Sequence, residues 1–283
     1  MKDVEEVRLT LPHIELAGHF YGPSDGRPVL ALHGWLDNAN SFSRLAPRLP
    51  GLRILALDMA GHGFSDHRPP GASYSVWDYA QDALHVAQYL GWERFSLMGH
   101  SLGAIVSVIL AGAVPERVER LALIDGLIPP TTPPEKAPEQ LGAALRAQLA
   151  FATKRKPVYE TFERAAKARA MGRLSVSLEA AESLAQRGLM PVAGGYTWRS
   201  DARLTQPSAV RLTEEQALAF IGQVRCPAML VVAEEGVLIE RKLSLSRLPF
   251  EQVTLPGGHH LHLDDEAGAA LVADCFKRFF AVS

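Results

Sequence analysis

The residues best suited to chemistry lie at 99–103, where the sequence is GHSLG. By composition, a Gly-x-Ser-x-Gly pattern occurs by chance roughly 0.1 times in a chain like this one. It follows an apolar run at 95–98 and precedes an apolar helical stretch at 102–113. A turn this tight between a strand and a helix exposes the serine hydroxyl beside the helix N-terminus, which favours negative charge. The pattern predicts that Ser101 is a nucleophile, with a simple helix N-cap serine as the alternative.

A base must accept the proton of this hydroxyl, because a serine alone is a weak nucleophile. Three histidines follow the last predicted strand, at His259, His260 and His262. Two glycines precede His259 and allow a tight loop that turns its ring inward, so His259 is the predicted base and the other two are alternates. Three histidines in four positions also suggest a metal site, but the i, i+4 spacing of helical ligands is missing. No metal is predicted.

Backbone N–H donors near the serine are needed to stabilise an oxyanion. The predicted strand at 29–32 runs into His33, Gly34 and Trp35. Gly34 lets the chain turn so that the Trp35 amide faces the site, together with the Leu102 amide. His33 is typical of a buried loop histidine that supports such a turn. The candidate contacts to a substrate are His33, His100 and Trp198.

The elements that must position these residues are short apolar runs rich in Val, Ile and Leu. Eight such runs lie at 7–11, 14–21, 29–33, 54–58, 95–99, 121–125, 229–233 and 252–255. Most are continuously apolar, which suits parallel strands covered on both faces. Helical patterns at 79–90, 102–113 and 267–280 alternate with them. The sequence predicts an α/β protein with an eight-stranded, mostly parallel, doubly wound sheet.

One long insertion breaks this alternation after the sixth predicted strand. Residues 129–223 contain no convincing strand, and helical patterns lie at 139–152, 157–171, 178–186 and 213–223. An insertion of this length far exceeds an ordinary connection of about 2–6 residues. We predict a helical cap at 126–224 that divides the core into 1–125 and 225–283.

Composition excludes several functional classes. Twenty-nine Lys and Arg residues against 31 Asp and Glu give a net charge of −2, without the basic excess typical of nucleic-acid or membrane binding. Cys226 and Cys275 cannot form a disulfide framework. We find no signal peptide, and the apolar stretch at 104–114 is too short to span a bilayer. The expectations are a cytoplasmic protein with a small-molecule substrate, no cofactor, no nucleic-acid or membrane partner, and either a monomeric or a homodimeric state.

Four stretches together resemble the α/β-hydrolase superfamily: LHGW at 32–35, LDMAGHGFS at 57–65, GHSLG at 99–103 and GGH at 257–259. The chain looks most like the serine hydrolase-like proteins, a capped branch near the haloalkane dehalogenases and epoxide hydrolases. Those two enzyme groups use an aspartate where this chain has Ser101. The resemblance therefore implies acyl chemistry and the chain order serine, acid, histidine.

The acid departs from the usual pattern of the superfamily. An aspartate usually follows the strand that corresponds to 229–233, but Gly236 stands at that position. The strand after the Ser101 helix ends in Asp125 and Gly126, which resembles a branch whose acid has moved to this earlier strand. Asp125 is the predicted acid, and Glu234 and Glu235 are the alternatives.

The predicted function is a serine hydrolase that cleaves a carboxylic ester, thioester or lactone through an acyl-enzyme. A carbon–carbon bond hydrolase with the same residues is one alternative, and a ligand receptor that keeps the fold is another. Substrate choice is assigned to the cap, with a preference for medium apolar acyl groups. Its apolar residues, most of them expected in the interior of the cap, include Phe151, Phe162, Leu174, Leu178 and Leu184.

Overall fold

The strands of the protein form one large sheet and one hairpin in the computed structural model, which describes residues 4–151, 155–241 and 248–281. The strands are β1 (Glu5–Thr10), β2 (Glu15–Tyr21), β3 (Arg27–Leu32), β4 (Leu52–Leu57), β5 (Phe95–His100), β6 (Val118–Ile124), β7 (Leu189–Val192), β8 (Gly195–Trp198), β9 (Ala228–Glu235) and β10 (Glu251–Gly258). The sheet has the spatial order β1-β2-β4-β3-β5-β6-β9-β10. The pairs β1–β2 and β2–β4 are antiparallel, and the other pairs of the sheet are parallel.

Helices cover both faces of this sheet. The helices are α1 (Val76–Tyr89), α2 (Leu102–Ala113), α3 (Ala137–Phe151), α4 (Phe162–Ala170), α5 (Leu178–Gly188), α6 (Glu214–Gln223), α7 (Val237–Glu240) and α8 (Glu266–Ala281). Along β3, Leu30 and Leu32 join the core formed with α1 and α2, whereas Val29 and Ala31 join the core around Phe276 of α8. Because both faces are buried, these strands are continuously apolar. The predicted eight-stranded, doubly wound α/β fold is confirmed.

The insertion between β6 and β9 holds α3 to α6 and also a hairpin, β7–β8. The expectation of no strand at 129–223 is therefore wrong. Gly194 and Gly195 take positive φ values of 88° and 138° at the hairpin turn. The helix predicted at 157–171 begins only at Phe162, because Tyr159 pairs with Tyr196 of the hairpin. Residue 152, the predicted end of α3, lies outside the described residues.

Two largely enclosed arginines of the insertion are bound to the core. Arg169 of α4 donates to Asp37, and Arg187 of α5 donates to Asp58 and to Glu6 of β1. The last helix of the insertion, α6, packs against α2 and contributes to the core of the sheet. The division at 126–224 stays a prediction. No helix within the described ranges is long and apolar enough to cross a bilayer.

Candidate active site

Ser101 occupies the turn between β5 and α2 in a backbone conformation that side-chain-bearing residues rarely adopt, with φ of 52° and ψ of −114°. Such strain persists only where the surroundings enforce it, and it concentrates at functional sites. The enforcing contacts are close. A Cβ atom at Gly99 would collide with the backbone of Ala104, and one at Gly103 would collide with the carbonyl of Leu32. The two glycines thus allow the turn that presents Ser101 at the start of α2.

His259 lies on the loop after β10 with its ring directed at this serine. Its Nε2 is 2.9 Å from the Ser101 Oγ. Gly257 has φ of 118°, a conformation that favours glycine, so the glycine pair before His259 does shape this loop. Only 7% of His259 is exposed, which keeps most water away from the imidazole.

Asp125 immediately follows β6, and its carboxylate holds the other side of the same imidazole. The Asp125 Oδ2 is 2.6 Å from the His259 Nδ1 and 2.7 Å from the Val237 amide nitrogen, which also donates to it. With Nδ1–H donating to the carboxylate, Nε2 is left to accept the Ser101 hydroxyl proton. The structure therefore brings Ser101, His259 and Asp125 into one hydrogen-bonded chain.

The rival carboxylates at the end of β9 lie elsewhere. Glu234 and Glu235 are exposed, and neither is hydrogen-bonded to a histidine within the described part of the chain. Gly236 comes next, and a Cβ atom there would collide with both carboxylate oxygens of Asp125. The absent side chain at Gly236 thus provides the space that the Asp125 carboxylate fills.

The two predicted oxyanion donors flank the serine. Leu102 is the first residue of α2, so its N–H has no partner within the helix. Among the described residues, neither the Leu102 amide nor the Trp35 amide donates to a protein acceptor. The Gly103 amide donates to the His33 carbonyl at 3.0 Å and fixes the two segments against each other. The Trp35 ring is anchored separately, by a 2.9 Å bond from Nε1 to the Leu204 carbonyl.

His33 does not face a substrate. It is fully buried, its Nδ1 donates to the Gly34 carbonyl at 2.7 Å, and its Nε2 accepts from the Met59 amide at 3.0 Å. Burial lowers the pKa of this imidazole and keeps it neutral. The predicted substrate contact of His33 is therefore corrected to the alternative expectation, the support of the turn, because both ring nitrogens are already used.

The other two candidate substrate contacts, His100 and Trp198, differ in their surroundings. His100 is fully buried, and its Nε2 donates to the His259 carbonyl at 2.9 Å. Burial, followed by the neighbouring His262, holds the pKa of His100 well below its ordinary value. Trp198 is half-buried and packs against the interior of the insertion, with its ring against Gly188. The contact predicted for His100 is corrected, because its ring is enclosed and bonded to the His259 loop, whereas the contact predicted for Trp198 stays a prediction.

A buried group beneath the Trp35 turn was missed from the sequence. We call it the Asp37 cluster, and its members are Asp37, His100, Arg169 and His260. Asp37 accepts from Arg169 at 2.6 Å and lies 3.1 Å from the His260 Nε2. Burial alone would raise the pKa of Asp37, but His260 and Arg169 hold it well below the usual value. His262 packs beside this cluster, with its ring centroid 4.3 Å from that of His100, and its Nε2 lies 3.0 Å from the Ser41 hydroxyl.

This cluster has the residue types of a metal site. The possible ligand atoms of Asp37, His100 and His260 lie within 4.8 Å of one another. However, the Arg169 guanidinium already pairs with Asp37 and approaches the His260 Nε2 to 3.4 Å. A second cation would be repelled at this position. The donor set therefore does not favour a metal ion.

A cavity of about 400 Å³ lies beside His259, between the insertion and the end of β9. Its lining residues are Arg173, Leu174, Ser175, Val176, Ser177, Glu235, Val237, Glu240, Gly258, His259 and Asp264. Of the five apolar residues named for the cap, Leu174 lines this cavity. Leu184 is buried in the interior of the insertion and Phe162 packs against that interior, as expected, but Leu178 is exposed.

The fold and this arrangement are those of a hydrolase. A family model described as the alpha/beta hydrolase fold matches residues 27–266, and the chain belongs to this family. A serine hydrolase-like protein of Danio rerio is 33% identical over 95% of this chain and 87% of its own length. These matches confirm the predicted superfamily and its serine hydrolase-like branch, and they support a hydrolase enzyme.

Two solved structures extend the comparison. A hypothetical protein of Pseudomonas aeruginosa PAO1 is 67% identical, with a TM-score of 0.96 over 98% of this chain and 100% of its own. The thioesterase domain from the curacin biosynthetic pathway is 27% identical, with a TM-score of 0.83 over 97% of this chain and 99% of its own. The similarity covers the insertion as well as the sheet.

Proposed function

We propose that the protein is a serine hydrolase that cleaves carboxylic ester-type bonds, with Ser101 as nucleophile, His259 as base and Asp125 as acid. The observation that carries this proposal is the continuous chain of 2.9 Å and 2.6 Å hydrogen bonds from Ser101 through His259 to Asp125. A nucleophile, a base and a group that orients the base need this mutual reach.

The reaction follows from these contacts. The Ser101 Oγ attacks the carbonyl carbon while its proton passes to the His259 Nε2, and Asp125 stabilises the imidazolium that forms. The same proton then moves to the leaving oxygen or sulfur as that bond breaks, which leaves an acyl-enzyme. His259 next takes a proton from water, the hydroxide attacks the acyl carbon, and the proton returns to the Ser101 Oγ as the acid product leaves.

The oxyanion of each tetrahedral intermediate is assigned to the Leu102 and Trp35 amides. Among the described residues these two amides donate to no protein acceptor, and Leu102 stands at the N-terminus of α2. Both observations support the assignment. Donors already in place for a developing charge typically contribute about 10²- to 10³-fold each to kcat.

The proposed substrates are esters, thioesters and lactones of small acids. The name of the thioesterase neighbour supports including thioesters. Leu174, Val176 and Val237 offer apolar contact in the cavity beside His259, which supports an apolar acyl group. Arg173 and Glu240 at the same cavity argue for tolerance of a polar group at its rim. Carbon–carbon cleavage is kept as the second candidate because the same three residues would serve it.

The test is turnover of p-nitrophenyl esters of graded acyl length together with labelling by a fluorophosphonate probe. Ser101→Ala should abolish labelling and lower kcat about a millionfold. Ser208→Ala is the matched control, because it removes an exposed hydroxyl outside the cavity and should leave both readouts unchanged.

Each alternative predicts a different result. A receptor would bind esters without repeated turnover, and a carbon–carbon hydrolase would prefer a diketone to every ester of the panel. Labelling that persists in Ser101→Ala contradicts the assignment of the nucleophile.

A further inference from the structure

One buried carboxylate joins three segments around the candidate active site. The Asp37 amide donates to the Gly34 carbonyl and closes the turn that carries Trp35. Its Oδ2 faces His260, the neighbour of His259, and its Oδ1 accepts from Arg169 of α4. Asp37 therefore connects the proposed oxyanion turn, the histidine loop and the insertion.

The contact with the oxyanion turn is direct. A Cβ atom at Gly34 would approach both the Asp37 Oδ2 and the His100 Nδ1 to 2.9 Å. His100 in turn holds the His259 carbonyl. A shift of the Asp37 carboxylate would therefore move both the turn and the loop that carries the base.

Arg169 is the permanent cation of this group. Its Nη2 lies 2.6 Å from the Asp37 Oδ1, and its Nη1 donates to the Leu174 carbonyl at 2.7 Å, in the wall of the cavity. Only 12% of the Arg169 side chain is exposed, and Asp37 is fully enclosed. A buried carboxylate without a paired cation is costly, so Arg169 neutralises a charge that the surroundings cannot solvate.

We propose that Arg169 is a positioning residue for catalysis: by neutralising Asp37, it holds the oxyanion turn and the His259 loop in the reactive arrangement. This inference rests on the function proposed above. It gives α4 of the insertion a role in the chemical step, in addition to any role in covering the substrate.

The proposal has a distinctive pH signature. Without Arg169, the buried Asp37 carboxylate is neutralised only if it binds a proton. The cluster then stays intact at acidic pH and loses its arrangement as pH rises. The charged and titratable groups that face Asp37 are His100, Arg169 and His260, and the buried His33, His62 and His262 also lie within reach of its charge. Arg169 is the member that carries its charge throughout this range.

The test compares Arg169→Met with the wild-type enzyme on a neutral p-nitrophenyl ester from about pH 6 to pH 9. At the alkaline end, kcat should fall about tenfold to a hundredfold below the wild type, with KM changed less than about threefold. The ratio of the two kcat values should recover as pH falls. A ratio that stays constant with pH would overturn the proposal, because loss of structure alone lowers kcat equally at every pH.

Three further variants isolate the charge. Arg169→Lys keeps the cation and should keep the wild-type profile. Asp37→Asn combined with Arg169→Met removes both charges and should abolish the alkaline loss. Arg169→Gln keeps a donor to Asp37 without the charge, and it replaces Arg169→Met if that variant does not fold. An alkaline loss in the lysine variant, or in the doubly neutral one, contradicts the inference.

Arg187→Met is the matched control, because Arg187 also binds the insertion to a buried carboxylate, and its hydrogen bonds go to Asp58, Glu6 and His19 rather than to the His259 loop. It should lower stability without an alkaline loss of kcat. A wild-type enzyme that does not turn over the ester, or activity that survives Ser101→Ala, would instead refute the proposed function. The two failures are therefore distinguishable.

Discussion

Strands β6 and β9 are parallel neighbours that end at the same edge of the sheet. The aspartate after β6 reaches His259, whereas the longer glutamates at the end of β9 do not. Asp125 after β6 lies 2.6 Å from the imidazole, while Glu234 and Glu235 at the end of β9 are exposed. The two residues that follow β9 contribute in another way: the Val237 amide donates to Asp125, and Gly236 leaves the space that the carboxylate occupies. The acid carboxylate must therefore occupy one location in space, and a residue at either strand end can place it there.

Among variants at these two strand ends, Asp125→Asn should cause the largest loss of kcat. The amide keeps the volume but no longer stabilises the imidazolium, and it favours the wrong tautomer of His259. We expect kcat to fall about ten-thousandfold with little change in KM. Steady-state kinetics on a p-nitrophenyl ester measures this. A loss below about tenfold would mean that another carboxylate serves His259.

Gly236→Ala should have the next largest effect, although it leaves all three proposed catalytic residues intact. The new Cβ atom collides with the Asp125 carboxylate and displaces it from His259. A misplacement of about 1 Å costs on the order of a hundredfold in kcat. Gly222→Ala in α6 is the control, because a Cβ atom there meets no other side chain or distant backbone. Equal kcat values for the two variants would contradict the account of Gly236.

Exchanging the two residues should restore part of the activity. Asp125→Gly alone removes the acid, while glycine tolerates the positive φ of 40° at this position. Adding Gly236→Asp places a carboxylate at the usual strand end and into the vacated space. We expect the double variant to exceed Asp125→Gly about tenfold in kcat. Strictly additive losses would show that β9 cannot supply the acid.

Glu234→Gln and Glu235→Gln should have the smallest effects. Both side chains are exposed and neither bonds to His259, so kcat on a neutral ester should stay within about twofold of the wild type. Glu235 lines the cavity, and a change confined to the KM of charged esters is consistent with that position. A loss of kcat beyond tenfold in either variant would indicate that this glutamate of β9, rather than Asp125, acts as the acid.

The sequence predicted the sheet because strands buried on both faces are continuously apolar. Ser101 was predictable because two glycines must flank such a turn, and their expected close contacts are present. Asp125 was predictable from the glycine at 236 combined with an aspartate at a neighbouring strand end. Each of these signals is local in the chain, or it is fixed by the order of the strands.

Other features depend on contacts between distant segments. The Asp37–Arg169 pair joins residues 132 positions apart, and no local pattern marks it. His100, named as a candidate substrate contact, is adjacent to Ser101 in sequence, yet its side chain is fully enclosed on the other side of the turn. The hairpin β7–β8 was missed because strands of four residues are too short to show an alternating pattern.

The anchoring of Arg187 affects how far the insertion can be treated as an exchangeable part. Arg187 is only 3% exposed and is shared between Asp58, in the loop after β4, and Glu6 of the first strand. An insertion from a relative without this arginine would leave Asp58 as a solitary buried anion. Successful chimaeras within the family will therefore have to exchange the loop after β4, and the beginning of the chain, together with the insertion.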